Sequence, residues 1–144
     1  MKRYADTSFL LSLYREQDAS GRAAELMAGM AEPLPLTPLE FLELRTGLNL
    51  AVFRREISAT TRDAAWAHVL QDIRDGVLVR TSPSPTDVFE RAGELSDKHA
   101  AAIGARTLDI LHVASALVLG ARELLSFDQR QRALAEKCGL KVKP

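Results

Sequence analysis

Short apolar runs alternate with longer stretches of helical periodicity along this chain. Residues 2–5 read as a strand, and the apolar run FLLSLY behind them predicts a helix over 8–15. Ala23, Leu26, Met27 and Met30 repeat at helical spacing and predict a helix over 18–31. PLPL at 33–36 is extended. Thr37 followed by Pro38 combines a capping hydroxyl with proline at the first helical position, so a helix should run from there to about Phe53. Thr60 or Thr61 opens the next helix. Trp66, Val69, Leu70 and Ile73 mark its buried face, and Gly76 ends it. VLV at 77–79 reads as a buried strand. Val88, Ala92 and Leu95 predict an amphipathic helix over 86–103. TLDILHVASALVLG (107–120) is apolar nearly all round, so that helix should lie deep. ELLSF (123–127) is a strand, QRQRALAEKC is a helix stopped by Gly139, and LKV (140–142) is a last strand.

Alternation of short apolar strands with helical connections predicts an α/β fold. We expect three layers, with a short parallel central sheet of about five strands and helices on both faces. A helix that directly follows a strand then begins at the carboxyl edge of the sheet, where open α/β folds bind ligands. Neither a repeat nor a linker interrupts the pattern, and TSPSPTD (81–87) is too short to divide it, so residues 1–144 are expected to form one domain.

Composition narrows the class. Hydrophobic residues make up 47% of 144, enough for a substantial core. Nineteen Lys and Arg balance 19 Asp and Glu, which excludes a chain that coats nucleic acid along its length and leaves room only for a local basic patch. A lone cysteine, Cys138, rules out an intramolecular disulfide and suits a reducing compartment. The apolar run near the N-terminus is too short for a signal peptide, and no stretch approaches ~18 consecutive apolar residues. The expectation is a soluble, cytoplasmic protein with no membrane partner.

Four acids sit where ligand chemistry would be placed. Asp6 follows the first strand, Glu40 lies in the first turn after 33–36, and Asp128 follows LLSF. Asp109 lies in the first turn of the apolar helix, which follows another helix. Each taken singly reads as a helix cap worth ~1 kcal/mol. As a set they read differently. Carboxylates within ~4 Å repel by roughly 4 kcal/mol per pair at an effective dielectric of 20, so four at one edge require a cation or protons. Oxygen-only ligands suit Mg²⁺ or Mn²⁺ and argue against zinc. Such a centre fits hydrolysis of a phosphodiester by metal-activated water, with one or two metals.

YADTSFLLSL, LTPLEFLEL, RTLDILHVASAL and LLSFDQRQRALAEKCGL resemble, in order, the four acidic motifs of PIN-domain ribonucleases, and are most similar to VapC-type toxins of toxin–antitoxin pairs. The resemblance spans residues 4–140. It implies a Mg²⁺- or Mn²⁺-dependent endoribonuclease with Asp6, Glu40, Asp109 and Asp128 as the metal-binding and catalytic acids. Glu43 is an alternative to Glu40, one turn on. The resemblance also implies an RNA substrate, a small antitoxin partner and a homodimer.

Supporting candidates follow from position. Thr7 and Ser8 either assist the acids or cap the helix at 8–15. Ser126 precedes Asp128 by two residues, so the two would point the same way if the strand persists that far. In similar proteins a hydroxyl there supports the acidic site; otherwise Ser126 is an ordinary strand-end serine. His112 shares a helix face with Asp109, and either orients that carboxylate, touches RNA, or is a satisfied core histidine. His68 and His99 read as surface residues. Arg45, Arg54, Arg55, Arg106, Arg130 and Arg132 are candidates for phosphate, with Arg106 and Arg130 favoured because they flank acids. Phe9, Leu10, Leu11 and Leu13 read as core, and Cys138 as inert. Two other classes compete. One is a non-catalytic PIN-like module with a vestigial acidic site. The other is a phosphotransfer domain, but ADTSF has Ser8 where haloacid-dehalogenase-like phosphatases place a second aspartate, and the early acid pair and late lysine of receiver domains are absent.

Overall fold

Five short segments fold as three-residue strands, each followed or preceded by helix, in a computed structural model that describes residues 2–144. The order is β1 (Arg3–Ala5), α1 (Thr7–Tyr14), α2 (Ser20–Ala28), β2 (Leu34–Leu36), α3 (Pro38–Phe53), α4 (Ala59–Arg74) and β3 (Leu78–Arg80). Then come α5 (Pro85–Leu95), a π-helical turn (Ser96–Ala100), α6 (Ala101–Ile103), α7 (Thr107–Val118), β4 (Glu123–Leu125), α8 (Gln129–Lys137) and β5 (Lys141–Lys143). All strand pairs among the described residues are parallel, as the α/β reading requires. Hydrogen bonding divides the five strands into two ladders, β1-β4-β5 and β2-β3. The chain packs as two units: the N-terminal segment through Asp6 with Ser82–Pro144, and Thr7–Thr81.

In the first unit β4 lies between β1 and β5, with Tyr4 opposite Leu124 and Leu124 opposite Val142. Tyr4, Val113, Ala114, Leu124 and Leu134 are fully buried in its core. Helix α7 buries Ile110 through Ala116 except Leu111, which fits its nearly continuous apolar sequence. The helix expected over 86–103 reaches Ile103 but is not regular. A wider π-turn, with i→i+5 bonding, takes up five residues where an α-turn takes up about four, and this returns Ala100 and Ile103 to the core beside Leu95. Gly104, at φ 73°, ends the segment in the left-handed conformation that glycine adopts without strain.

In the second unit Phe9, Leu10, Leu34, Leu36, Leu44, Leu48, Val69 and Leu78 are buried, while Leu11 and Leu13 are only half-buried. Gly47 stands inside α3 because a Cβ there would come within 2.8 Å of the Leu11 side chain. Helix α4 starts earlier than Thr60, because Ser58 supplies the cap by accepting from the Thr61 amide at 3.0 Å. Helix α2 is shorter than 18–31 and stops at Gly29. The buried Tyr14 hydroxyl donates to Asp72 at 2.6 Å, and burial together with that carboxylate pushes its pKa well above the ordinary value. No helix among the described residues is long and apolar enough to cross a membrane.

One charge cluster staples the three-stranded ladder. Glu123 on β4 pairs with Arg3 of β1 at 2.6 Å and Lys143 of β5 at 3.5 Å, and the Arg3 hydrogen bond holds its carboxyl below 4.5 against the opposing effect of burial. On acidification the unfolded chain binds this proton first. The stabilisation is therefore complete above about pH 4.5 and is lost as pH falls through the folded value. Glu123→Gln should cost on the order of 1 kcal/mol at neutral pH and flatten the loss of stability below pH ~4.5, as read by denaturant melts at stepped pH.

Candidate functional site

Asp6 leaves the end of β1 with its amide still bonded to the Leu125 carbonyl at 3.0 Å, which carries the ladder one residue past the strand. Its side chain is wholly buried. A buried carboxylate requires donors, and the hydroxyl of Ser126 donates to Asp6 Oδ2. The same Ser126 Oγ accepts from the Asp128 amide at 3.0 Å. Asp128 in turn caps α8, accepting from the Gln131 amide at 3.0 Å. One serine therefore joins the first acid to the start of the last helix. This differs from the expected alternation: β4 ends at Leu125, so Ser126 and Asp128 are brought together by a hydrogen bond rather than by strand period. Arg132 fixes that turn, donating to the Ser126 carbonyl at 2.7 Å and to the Pro144 carbonyl at 3.0 Å. Arg132, one of the candidates for phosphate, thus commits its Nη1 to internal carbonyls.

Asp109 is nearly buried in the first turn of α7, where Oδ2 accepts from the Arg106 amide at 2.9 Å. The Arg106 side chain is 67% exposed, with Nε 3.6 Å from the same oxygen. His112, one turn on, is buried and shares a hydrogen bond of 2.9 Å between Nδ1 and the Tyr4 hydroxyl. Tyr4 and Asp6 lie two apart on an extended segment, and Asp109 and His112 lie three apart on a helix. The Tyr4–His112 bond thus joins the side of β1 that carries Asp6 to the side of α7 that carries Asp109. His112 is a partnered core histidine at Nδ1. Tyr4 had no place among the candidates, although its two-residue offset from Asp6 was readable.

The remaining candidates lie in the second unit or on the surface. Glu40 is buried at the start of α3, where its carboxylate accepts from the Thr37 amide at 2.6 Å and Thr37 Oγ1 accepts from the Glu40 amide at 3.3 Å, a complete capping box. Thr7 opens α1 and donates to Glu43 Oε1 at 2.9 Å; Ser8 is half-buried behind it. Arg130, Arg54 and Arg55 are exposed, and His68 is 60% exposed beside Asp72, while His99 and Cys138 are only partly exposed. Burial raises the Cys138 thiol pKa, consistent with an inert cysteine.

Oxygen donors without thiolate or imidazole suit a hard divalent ion. Oδ2 of Asp109 and Oδ1 of Asp128 serve as caps, which leaves Oδ1 of Asp109 and Oδ2 of Asp128 without a hydrogen bond among the described residues. No group of three acidic, histidine or cysteine side chains that could hold a metal ion occurs among the described residues. Mg²⁺ rarely needs one, since it retains water and commonly binds through one or two carboxylates. In donor chemistry, with one open oxygen each on Asp109 and Asp128, these residues suit such an ion.

A family model for the PIN domain matches residues 3–137. The chain belongs to the PIN-domain family. No curated protein matches it significantly. Among solved structures, the Mycobacterium tuberculosis toxin VapC20, which cleaves the sarcin-ricin loop, is 22% identical with a TM-score of 0.69 over 92% of this chain and 94% of that one. FitAcB from Neisseria gonorrhoeae is 15% identical, with a TM-score of 0.68 over 99% of this chain and 96% of that one. VapBC2 from Rickettsia felis, bound to a DNA fragment from its promoter, is 14% identical, with a TM-score of 0.68 over 99% and 98%. At these identities the shared property is the PIN fold. Within that fold, Ser126→Ala should destabilise by roughly 1–3 kcal/mol in urea unfolding, because it strips a donor from a buried carboxylate, whereas Asp128→Asn should cost less by preserving most of the cap.

Proposed function

We propose that this chain, as a single PIN domain, is a metal-dependent endoribonuclease that hydrolyses RNA phosphodiester bonds and serves as the toxin of a toxin–antitoxin pair. The observation that carries the reading is the buried Asp6 carboxylate, bound by Ser126 and through it to the capping Asp128, in a chain of the PIN family. The VapC and VapBC fold neighbours lend it support. Asp6, Asp109 and Asp128 bind Mg²⁺ or Mn²⁺, and motif order adds Glu40, with Glu43 the competing acid. When bound, the cation lowers the pKa of a coordinated water and offsets charge on the phosphate. Ser126 fixes the Asp6 carboxylate. Tyr4 and His112 align β1 with α7. One acid of the set accepts the proton of the attacking water. Arg106 and Arg130, exposed beside the acids, contact RNA. Thr7 ties the start of α1 to Glu43, the alternative to Glu40 one turn on, and Ser8 supports the acids beside it. The toxin acts in the cytoplasm as a homodimer and is neutralised by a small antitoxin.

A second reading rests on Asp109 and Asp128 each committing one oxygen to a helix cap: a PIN-like module that binds metal weakly and performs no hydrolysis. Cleavage separates the two. The protein should cut RNA with Mg²⁺ or Mn²⁺ and stop in EDTA. Asp6→Asn and Asp109→Asn should slow cleavage by about 100-fold or more while still unfolding cooperatively. Cleavage that survives EDTA or either substitution contradicts the mechanism; metal binding without cleavage supports the second reading.

A further inference from the structure

In the second unit two arginines are held without an acidic partner. Phe41 of α3 and Trp66 of α4 pack with ring centroids 5.1 Å apart. The Arg45 guanidinium lies over Trp66 at 5.1 Å and Phe41 at 6.0 Å, and Arg80 lies over Phe41 at 4.2 Å. One ring therefore anchors both cations. Both residues are exposed, and neither guanidinium makes a hydrogen bond or ion pair among the described residues. Arg15 of this unit pairs with Glu56, and Arg62 with Asp63 at 3.1 Å and Asn49 at 3.4 Å, whereas Arg54 and Arg55 are exposed and, among the described residues, not stacked on a ring. Beside the stack, Arg45, Leu48, Asn49, Arg62, Asp63 and Trp66 line a cleft of about 170 Å³, in which Asp63 pairs with Arg62 and leaves Arg45 as the unpaired charge.

Stacking occupies the flat face of a guanidinium and restricts its motion, while its edge keeps the N–H donors that match a phosphate. Two such edges on one ring pair form a pre-ordered receptor for a polyanion. A chain of zero net charge has no general attraction for nucleic acid, so its contact has to be local. We propose that Arg45 and Arg80, set on Phe41 and Trp66, form a docking site for the phosphate backbone of single-stranded RNA. The proposal rests on the ribonuclease reading above and adds a substrate-holding surface to it.

Fluorescence anisotropy with labelled oligouridylate, in EDTA so that no cleavage occurs, reads binding across a salt series. Arg45→Ala/Arg80→Ala should weaken binding by roughly tenfold and reduce the log–log salt slope by about 1.4, the value for two lost phosphate contacts on a single strand. Arg74→Ala, whose guanidinium donates to Gln71 at 2.8 Å, should change neither. In Mg²⁺ the double variant should raise KM with kcat unchanged. Wild-type protein that cleaves RNA, with an unaltered slope and KM in the double variant, overturns the docking site and leaves the ribonuclease reading intact. Protein that binds oligouridylate through these arginines but never cleaves supports the docking site and overturns the ribonuclease reading. An equal loss in Arg74→Ala, or arginine-dependent binding of a short polyglutamate peptide in place of oligouridylate, overturns the RNA assignment.

Discussion

Asp6 carries a carboxylate with no exposed surface at the end of a strand, and the surrounding structure is arranged to tolerate it. Ser126 donates to it, and the turn that presents Ser126 is itself held by the Asp128 amide and by Arg132. Desolvating a carboxylate costs several kcal/mol unless donors or a cation replace the water, and the Ser126 hydroxyl supplies one such donor. The cost makes sense where the charge is used.

Topology supplies the neighbours. Parallel pairing sets the ends of β1 and β4 side by side, so Asp6 and the Ser126–Asp128 turn emerge together. Asp109 arrives by a different route, because α7 follows a helix; the Tyr4–His112 bond ties that helix to β1. Each acid also caps or extends a local element, so on the proposed reading a single side chain would serve folding and chemistry at once. That dual use explains why a helix cap and a metal ligand cannot be told apart one residue at a time.

Much of this was legible in the chain. All five strands fell within a residue or two of their predicted places, since short apolar runs bounded by turn residues leave little choice. The Thr37–Pro38–Glu40 start of α3 was readable from capping chemistry alone. What escaped were tertiary events. The π-turn at Ser96–Ala100 answers to packing beside Leu95, and Ser126 acts after its strand has ended. Arg132 turned inward to carbonyls, and Arg80 gained a partner ring from another element. Side-chain pairings between distant segments leave no periodic trace.

The charge balance of the chain gives these local arrangements their weight. With 19 basic and 19 acidic residues, neither metal nor polyanion is drawn by the molecule as a whole. On the reading proposed above, the acids around Asp6 hold a divalent cation. Titration with Mn²⁺, followed by loss of the free-ion electron paramagnetic resonance signal, tests it most directly. Saturable binding that is abolished by Asp6→Asn and by Asp109→Asn is the predicted result; no binding to the folded wild-type protein, or binding that either variant retains in full, would contradict it.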